Sequence, residues 1–99
     1  MSSLPECLAQ PEYLGVEPYR IDLAAPLLVL KARRGILACG YLSVATMNKL
    51  GEAGAIVTSV REYEDMLVAK VVAVSERAEK LGVTLGMTGR DALVVLNAS

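Results

Sequence analysis

Polar and apolar positions alternate early in the chain, give way to wholly apolar runs, and change to a helical period after Gly40. Tyr19-Arg20-Ile21-Asp22-Leu23 alternates apolar and charged side chains, the period of two expected of a half-exposed strand. Ala24-Ala25-Pro26 turns the chain, and Pro26 suits the first position of the next strand. Leu27-Leu28-Val29-Leu30 and Ile36-Leu37-Ala38-Cys39 are apolar at every position, so both predict interior strands with side chains buried above and below. Ala32-Arg33-Arg34-Gly35 reads as the hairpin between them, with Gly35 expected to supply a positive φ. A further short strand is read from Tyr13 to Val16.

Ser43 is a reasonable N-cap for a helix over Val44 to Leu50, with Met47 and Leu50 inward and with Gly51 and Gly54 closing it. The β-branched stretch Ala55-Ile56-Val57-Thr58-Ser59 predicts a strand. Strand, short helix and strand form a βαβ unit, whose two strands pair in parallel. Ser59-Val60-Arg61-Glu62 has capping-box spacing, and Arg61 to Leu81 contains no Gly or Pro. This stretch predicts a short helix near Arg61 to Leu67 and a longer one over Val71 to Leu81, stopped by Gly82. Thr88 as N-cap and Asp91 at the third helical position open a last helix, whose inward face is Ala92, Leu93 and Leu96. The expected fold class is therefore α+β, a two-layer arrangement. It has a mixed sheet of about four to five strands: an N-terminal antiparallel hairpin, then a βαβ unit, with helices packed on the sheet. Residues 1–11 show no period and are expected to be a flexible N-terminal segment, leaving 12–99 as a single domain.

Two neighbouring strands that are apolar on both faces need cover on both sides of their sheet. The helices of so short a chain cover one face well, and the other calls for more helices or another subunit. Composition leads to the same place. Apolar residues make up 54% of 99 residues with no Trp or Phe, so the core must be aliphatic, and a domain this small leaves some apolar surface exposed. A homo-oligomer is expected.

Other bulk properties exclude function classes. A formal charge of −1 gives no electrostatic case for binding nucleic acid or acidic membranes. The longest apolar run, Ala24 to Leu30, falls far short of the ~20 residues of a spanning helix. No signal peptide is read at the N-terminus, and Cys7 and Cys39 read as free thiols, so a cytoplasmic setting is expected. The absence of His removes imidazole bases, His-containing triads and His metal sites. The cysteines lack metal-ligand spacing, and neither common nucleotide-loop motif is present, so no metal and no cofactor are implied.

Pro26-Leu27-Leu28, Arg34-Gly35-Ile36-Leu37-Ala38-Cys39-Gly40-Tyr41-Leu42, Ala78-Glu79-Lys80-Leu81-Gly82-Val83 and Gly86-Met87-Thr88-Gly89-Arg90-Asp91-Ala92-Leu93 carry a resemblance. In this order they resemble the YunC-like family of small prokaryotic proteins of unknown function. The similarity runs from about Tyr13 to Leu96. It implies a compact α/β domain with a mixed sheet and no established activity.

Two places carry candidate chemistry. Cys39 is the candidate catalytic residue, because it stands at the carboxyl end of a strand just before a helix. Ligands gather at such ends, and a helix N-terminus favours a thiolate. Gly40 would allow close backbone approach, and Tyr41 would line a pocket. Against this, free Cys is very often a small buried apolar residue, and Cys7 reads as an incidental surface thiol. The second place is the turn from Gly86 to Arg90, where Thr88, Gly89 and Arg90 would offer backbone N–H groups and a guanidinium fork to an anion. Against this, the turn reads as simply capped, with Arg90 paired to an acidic residue. Three readings stand: a homo-oligomeric binding or regulatory module holding a small anionic ligand at these turns, a Cys39-dependent enzyme, and a structural assembly subunit without a small-molecule site.

Overall fold

The computed structural model describes residues 6–98. Five strands form one mixed sheet in sequential order: β1 (Glu17–Asp22), β2 (Pro26–Lys31), β3 (Ile36–Ala38), β4 (Gly54–Ile56) and β5 (Ala73–Val74). The pairs β1–β2, β2–β3 and β4–β5 are antiparallel, and β3–β4 is parallel. The helices are α1 (Val44–Leu50), α2 (Tyr63–Val68), α3 (Glu76–Leu81) and α4 (Gly89–Asn97). The hairpin and the βαβ unit β3–α1–β4 are those the sequence predicts.

The two-faced apolar strands sort their side chains as expected. Leu28, Leu30, Leu37, Ala55 and Val57 join the main core, to which α2 contributes Met66 and Leu67, and α4 contributes Ala92, Leu93 and Leu96. On the opposite face Ala38 and Ile56 pack with Met47 of α1, flanked by the half-buried Val29, Ile36 and Val44. Cover is unequal. Three helices serve the first face, and the second has α1 over its middle only. Toward β1 that second face carries Tyr19 and Ile21, paired in register with Val29 and Leu27, and they remain 50% and 55% exposed.

Several local expectations are corrected. The helical reading of Val71 to Leu81 fails at its start: Ala73–Val74 is strand β5, and only Glu76–Leu81 is helix. β-branched residues that fit a pleated surface outweigh the Gly- and Pro-free context. Ser75 enforces the change of direction, since its Oγ accepts from Ala78 N–H at 3.3 Å as the α3 N-cap and from Gly54 N–H at 2.9 Å in β4. The capping box at α2 starts at Glu62 rather than Ser59, with Asp65 Oδ2 accepting from the backbone of Arg61 and Glu62. Tyr13 belongs to a 3-10 turn (Pro11–Tyr13) and not to a strand, and its ring is fully buried. Leu50 points out to solvent, while Met47 is buried. Cys7 is half-buried against the core, not a surface thiol. It lies within a 3-10 turn at Glu6–Leu8 whose Leu8 is fully buried. The remainder of the segment expected to be loose, residues 1–5, lies outside the described residues.

Two glycines work differently from expectation. Gly35 does not adopt a positive φ. It is glycine because a Cβ there would lie 2.5 Å from the carbonyl oxygen of Ala53, at the start of the parallel pairing. Gly54 does not close α1. It lies in β4 beneath Met47, whose sulfur would sit 2.3 Å from an added Cβ. The tightest approach is at Gly89, where a Cβ would meet the Met66 carbonyl oxygen at 1.7 Å, so α4 enters against the backbone of α2.

Gly89→Ala is expected to cost about 3 kcal/mol or more, at or above the upper end of overpacking penalties, because the obstructing atom is backbone. Gly40→Ala meets only the Thr58 methyl at 3.4 Å and should cost less than about 1 kcal/mol. Urea unfolding of the two variants beside the parent checks both figures.

Candidate functional site

The single parallel pair places two strand ends side by side. β3 continues into Cys39-Gly40-Tyr41 before α1, and β4 continues into Thr58-Ser59-Val60-Arg61 before α2. Backbone pairing extends past the strands proper. Val57 N–H donates to the Ala38 carbonyl at 2.9 Å, and Cys39 N–H donates to the Leu28 carbonyl at 3.1 Å. Beyond these bonds the two chains diverge, one into each helix. A cleft of about 960 Å³ opens there, where ligands collect in open α/β sheets.

The two strand extensions form its floor. Asp65 and Val68 of α2, followed by Ala69, Lys70 and Val72, make one wall, and Ala25-Pro26 from the β1–β2 turn lies at the other side. Within the described residues, the backbone N–H groups of Gly40, Tyr41, Thr58 and Ser59 donate to no backbone or side-chain acceptor. Ser59 is the one non-glycine residue in the described chain with a positive φ, 61°. Left-handed backbone at a non-glycine residue costs about 1–2 kcal/mol, and such strain concentrates at functional sites. Sequence reading missed Thr58 to Arg61 and Lys70 as site residues. The signal that does exist is the parallel pairing of the two predicted strands, which sets the residues after Val57 beside Cys39; nothing comparable in the sequence points to Lys70.

Cys39 lines this cleft but is only 4% exposed. Its Sγ accepts a hydrogen bond from the Leu28 N–H at 3.3 Å and so serves the β2–β3 ladder. Among the described residues, no group of three or more Cys, Asp or Glu side chains is arranged to hold a metal ion. Tyr41 is half-exposed at the rim, with its hydroxyl accepting from Ala25 N–H at 3.4 Å, which ties the β1–β2 turn to the cleft.

The turn from Gly86 to Arg90 lies elsewhere. None of Thr88, Gly89 and Arg90 lines the cleft. Its donors are largely committed: Gly86 N–H bonds to Val71, Gly89 N–H to Ala69 at 2.8 Å, and Asp91 N–H to the Thr88 hydroxyl at 3.2 Å. Lys70 and Thr88 face each other in an isolated antiparallel bridge. The turn is thus hydrogen-bonded to the segment Ala69 to Val71, of which Ala69 and Lys70 line the cleft. Arg90 is exposed and makes no ion pair among the described residues. Tyr13, within electrostatic reach of Arg90, and Tyr63, within reach of Arg20, have phenols pushed above their ordinary 10.0 by burial.

Fold and cleft together define a small α+β domain with a mixed sheet and a concave site at the ends of its parallel strands. The family described as "Domain of unknown function (DUF1805)" matches residues 38–96, and the chain belongs to that family. The matched stretch contains Cys39 to Tyr41, Thr58 to Arg61, Lys70 and the Gly86 turn. The chain is similar to "Uncharacterized protein YunC" of Bacillus subtilis (strain 168), with 41% identity over 64 residues, which is 61% of this chain and 63% of that protein. The match thus spans less than two thirds of that relative's length. A solved structure of a protein of unknown function, TA1206 from Thermoplasma acidophilum, shares the fold with a TM-score of 0.71 at 33% identity, covering 82% of this chain and 92% of that one. These relatives are uncharacterised, and their names assign no activity.

Ser59→Gly relieves the left-handed strain and is expected to raise unfolding stability by up to about 1 kcal/mol, after allowance for the greater freedom of glycine in the unfolded chain. Equilibrium denaturation of the variant and parent measures the difference.

Proposed function

We propose that this protein is a homo-oligomeric binding module that holds a small anionic molecule in the cleft at the ends of β3 and β4. The observation that carries the reading is the composition of that cleft. Arg61 and Lys70 line it, and neither is engaged in an ion pair among the described residues. Its single carboxylate, Asp65, is already occupied by the backbone N–H groups of Arg61 and Glu62 at 3.0 and 3.2 Å. Unpaired cations and free backbone donors facing one concavity favour negative charge. These features favour the Cys39 side for the anion over the Gly86 to Arg90 turn, where the N–H groups of Gly86, Gly89 and Asp91 are already bonded.

The catalytic reading of Cys39 has less support. Its sulfur is buried and bonded, and with no His in the chain there is no imidazole to activate it. The purely structural reading leaves the strained Ser59 and the open cleft without a role. Association is supported by the uneven cover of the sheet, which leaves Tyr19 and Ile21 on an apolar face that α1 does not reach. Among the described residues no helix is long and apolar enough to cross a membrane. Two free thiols suit the reducing setting of a cytoplasm.

Titration calorimetry of the full chain with inorganic and organic phosphates and carboxylates should detect binding by at least one anion. Arg61→Ala should weaken it about tenfold or more, the scale of a lost charge-assisted hydrogen bond. Absence of heat with every anion would remove the binding reading. Light scattering at micromolar concentration should return a multiple of the 10.5 kDa chain mass. Tyr19→Arg with Ile21→Arg, both at exposed positions, should lower that mass to the monomer without lowering stability by more than about 1 kcal/mol. A monomeric parent would contradict the association.

A further inference from the structure

We infer that the ligand of this cleft is an amphipathic anion: one carboxylate or phosphate-monoester head carried on an apolar body. This deepens the preceding reading and rests on it.

Size is the first ground. The cleft's volume of about 960 Å³ lies at the upper end of the ~300–1,000 Å³ common for small-molecule pockets, and many times the volume of a bare phosphate. An inorganic anion would neutralise the cations and leave most of the concavity filled with water.

The walls are the second ground. Pro26, Val60, Ala69 and the ring of Tyr41 offer apolar surface. Val68 and Val72 are 71% and 54% exposed at the lip of the same cleft. On a flat surface two exposed valines call for no explanation. Around a concavity that also contains half-buried and buried apolar side chains, they mark a surface that a ligand would dehydrate. Val72 stands on the segment that hydrogen-bonds β4, its N–H donating to the Ile56 carbonyl at 2.9 Å, so this wall is held by the sheet.

Charge balance is the third ground and limits the head group. Arg61 and Lys70 contribute two positive charges, and Asp65 contributes one negative charge that serves the backbone. Arg20 approaches the Arg61 carbonyl at 3.4 Å, but it is neutralised by Asp22 at 2.8 Å. A net surplus of about one charge matches a carboxylate, and the two cations together meet most of the roughly −1.5 to −2 charge of a phosphate monoester. A polyphosphate would bring several negative charges into a site with few cations to meet them. A neutral apolar molecule would gain nothing from Arg61, Lys70 or the free N–H groups of Thr58 and Ser59.

The test is a thermal-shift series on the full chain with acetate, hexanoate, inorganic phosphate, phenyl phosphate and hexanol at equal millimolar concentration. Hexanoate, phenyl phosphate or both should raise Tm, the response of either head group showing which the site prefers, while acetate, inorganic phosphate and hexanol should leave it unchanged. Arg61→Ala with Lys70→Ala, at exposed positions whose loss should leave the unliganded Tm intact, should abolish the shift. Val68→Asp should reduce it. If acetate or inorganic phosphate shifts Tm as far as its apolar-bodied counterpart, the amphipathic ligand is overturned and anion binding stands. If hexanol matches hexanoate, or if the shift survives in the double variant, the role of the anionic head is overturned. If no compound shifts Tm, the anion-binding reading falls together with this inference.

Discussion

Parallel pairing of β3 with β4 is the contact on which the rest of the molecule depends. It sets two strand ends next to each other, and the chain must leave both in the same direction. One exit leads over the sheet into α1, and the other crosses to α2. The space between the two exits is the cleft. The pairing itself relies on backbone contact that only glycine allows. Gly35 lies against the Ala53 carbonyl where the pairing begins, and Gly54 beneath Met47 lets α1 settle on the strand it has just connected. Two hydrogen bonds anchor the neighbourhood: Ile36 N–H to Ala53 at 3.0 Å, and Gly54 N–H to the Ser75 hydroxyl at 2.9 Å.

A second set of contacts keeps that pair supported from one side. Gly89 brings α4 onto the α2 backbone, and Leu93 and Leu96 fill the core beneath. Asn97, at the end of the same helix, is a buried polar residue whose bonding is met in full. Its amide donates to the carbonyls of Glu12 and Leu14, each at 3.0 Å, and its oxygen accepts from Arg33 N–H at 3.2 Å. It thus joins the N-terminal segment, the β2–β3 hairpin and α4 in one network. Removing such a partner strands several buried groups at once, which is why these networks fix a fold. Opposite them, the face that holds only α1 leaves Tyr19 and Ile21 half-exposed.

Much of the architecture was legible in the sequence because its signals were local and agreed with one another. Val44 to Leu50 carries its own cap at Ser43, Thr88 opens α4, and the apolar runs at β2 and β3 admit little but interior strands. Failures fell where a distant partner decided the outcome. Val71 to Val74 has no helix breaker, and it is strand because β4 offers an edge to pair with. Gly35 looked like a turn glycine because the Ala53 carbonyl that crowds it is remote in sequence. At the candidate site, Cys39, Gly40 and Tyr41 were readable from the strand-to-helix junction. Ser59 and Arg61 follow a strand the sequence predicts beside Cys39 but carry no motif of their own, and nothing local links Lys70 to residue 39. The Gly86 to Arg90 turn stands out for its glycines, and its backbone hydrogen bonds run to Ala69 and Val71, on either side of Lys70.

The central claim is that ligand chemistry belongs to the strand-end cleft and not to the turn before α4. Amide chemical-shift mapping by two-dimensional NMR, with phenyl phosphate titrated into the uniformly ¹⁵N-labelled chain, tests it most directly. The account predicts saturable shifts centred on Gly40, Tyr41, Thr58, Ser59 and Lys70. Saturable shifts centred on Thr88, Gly89 and Arg90, with those cleft amides unmoved, would contradict it.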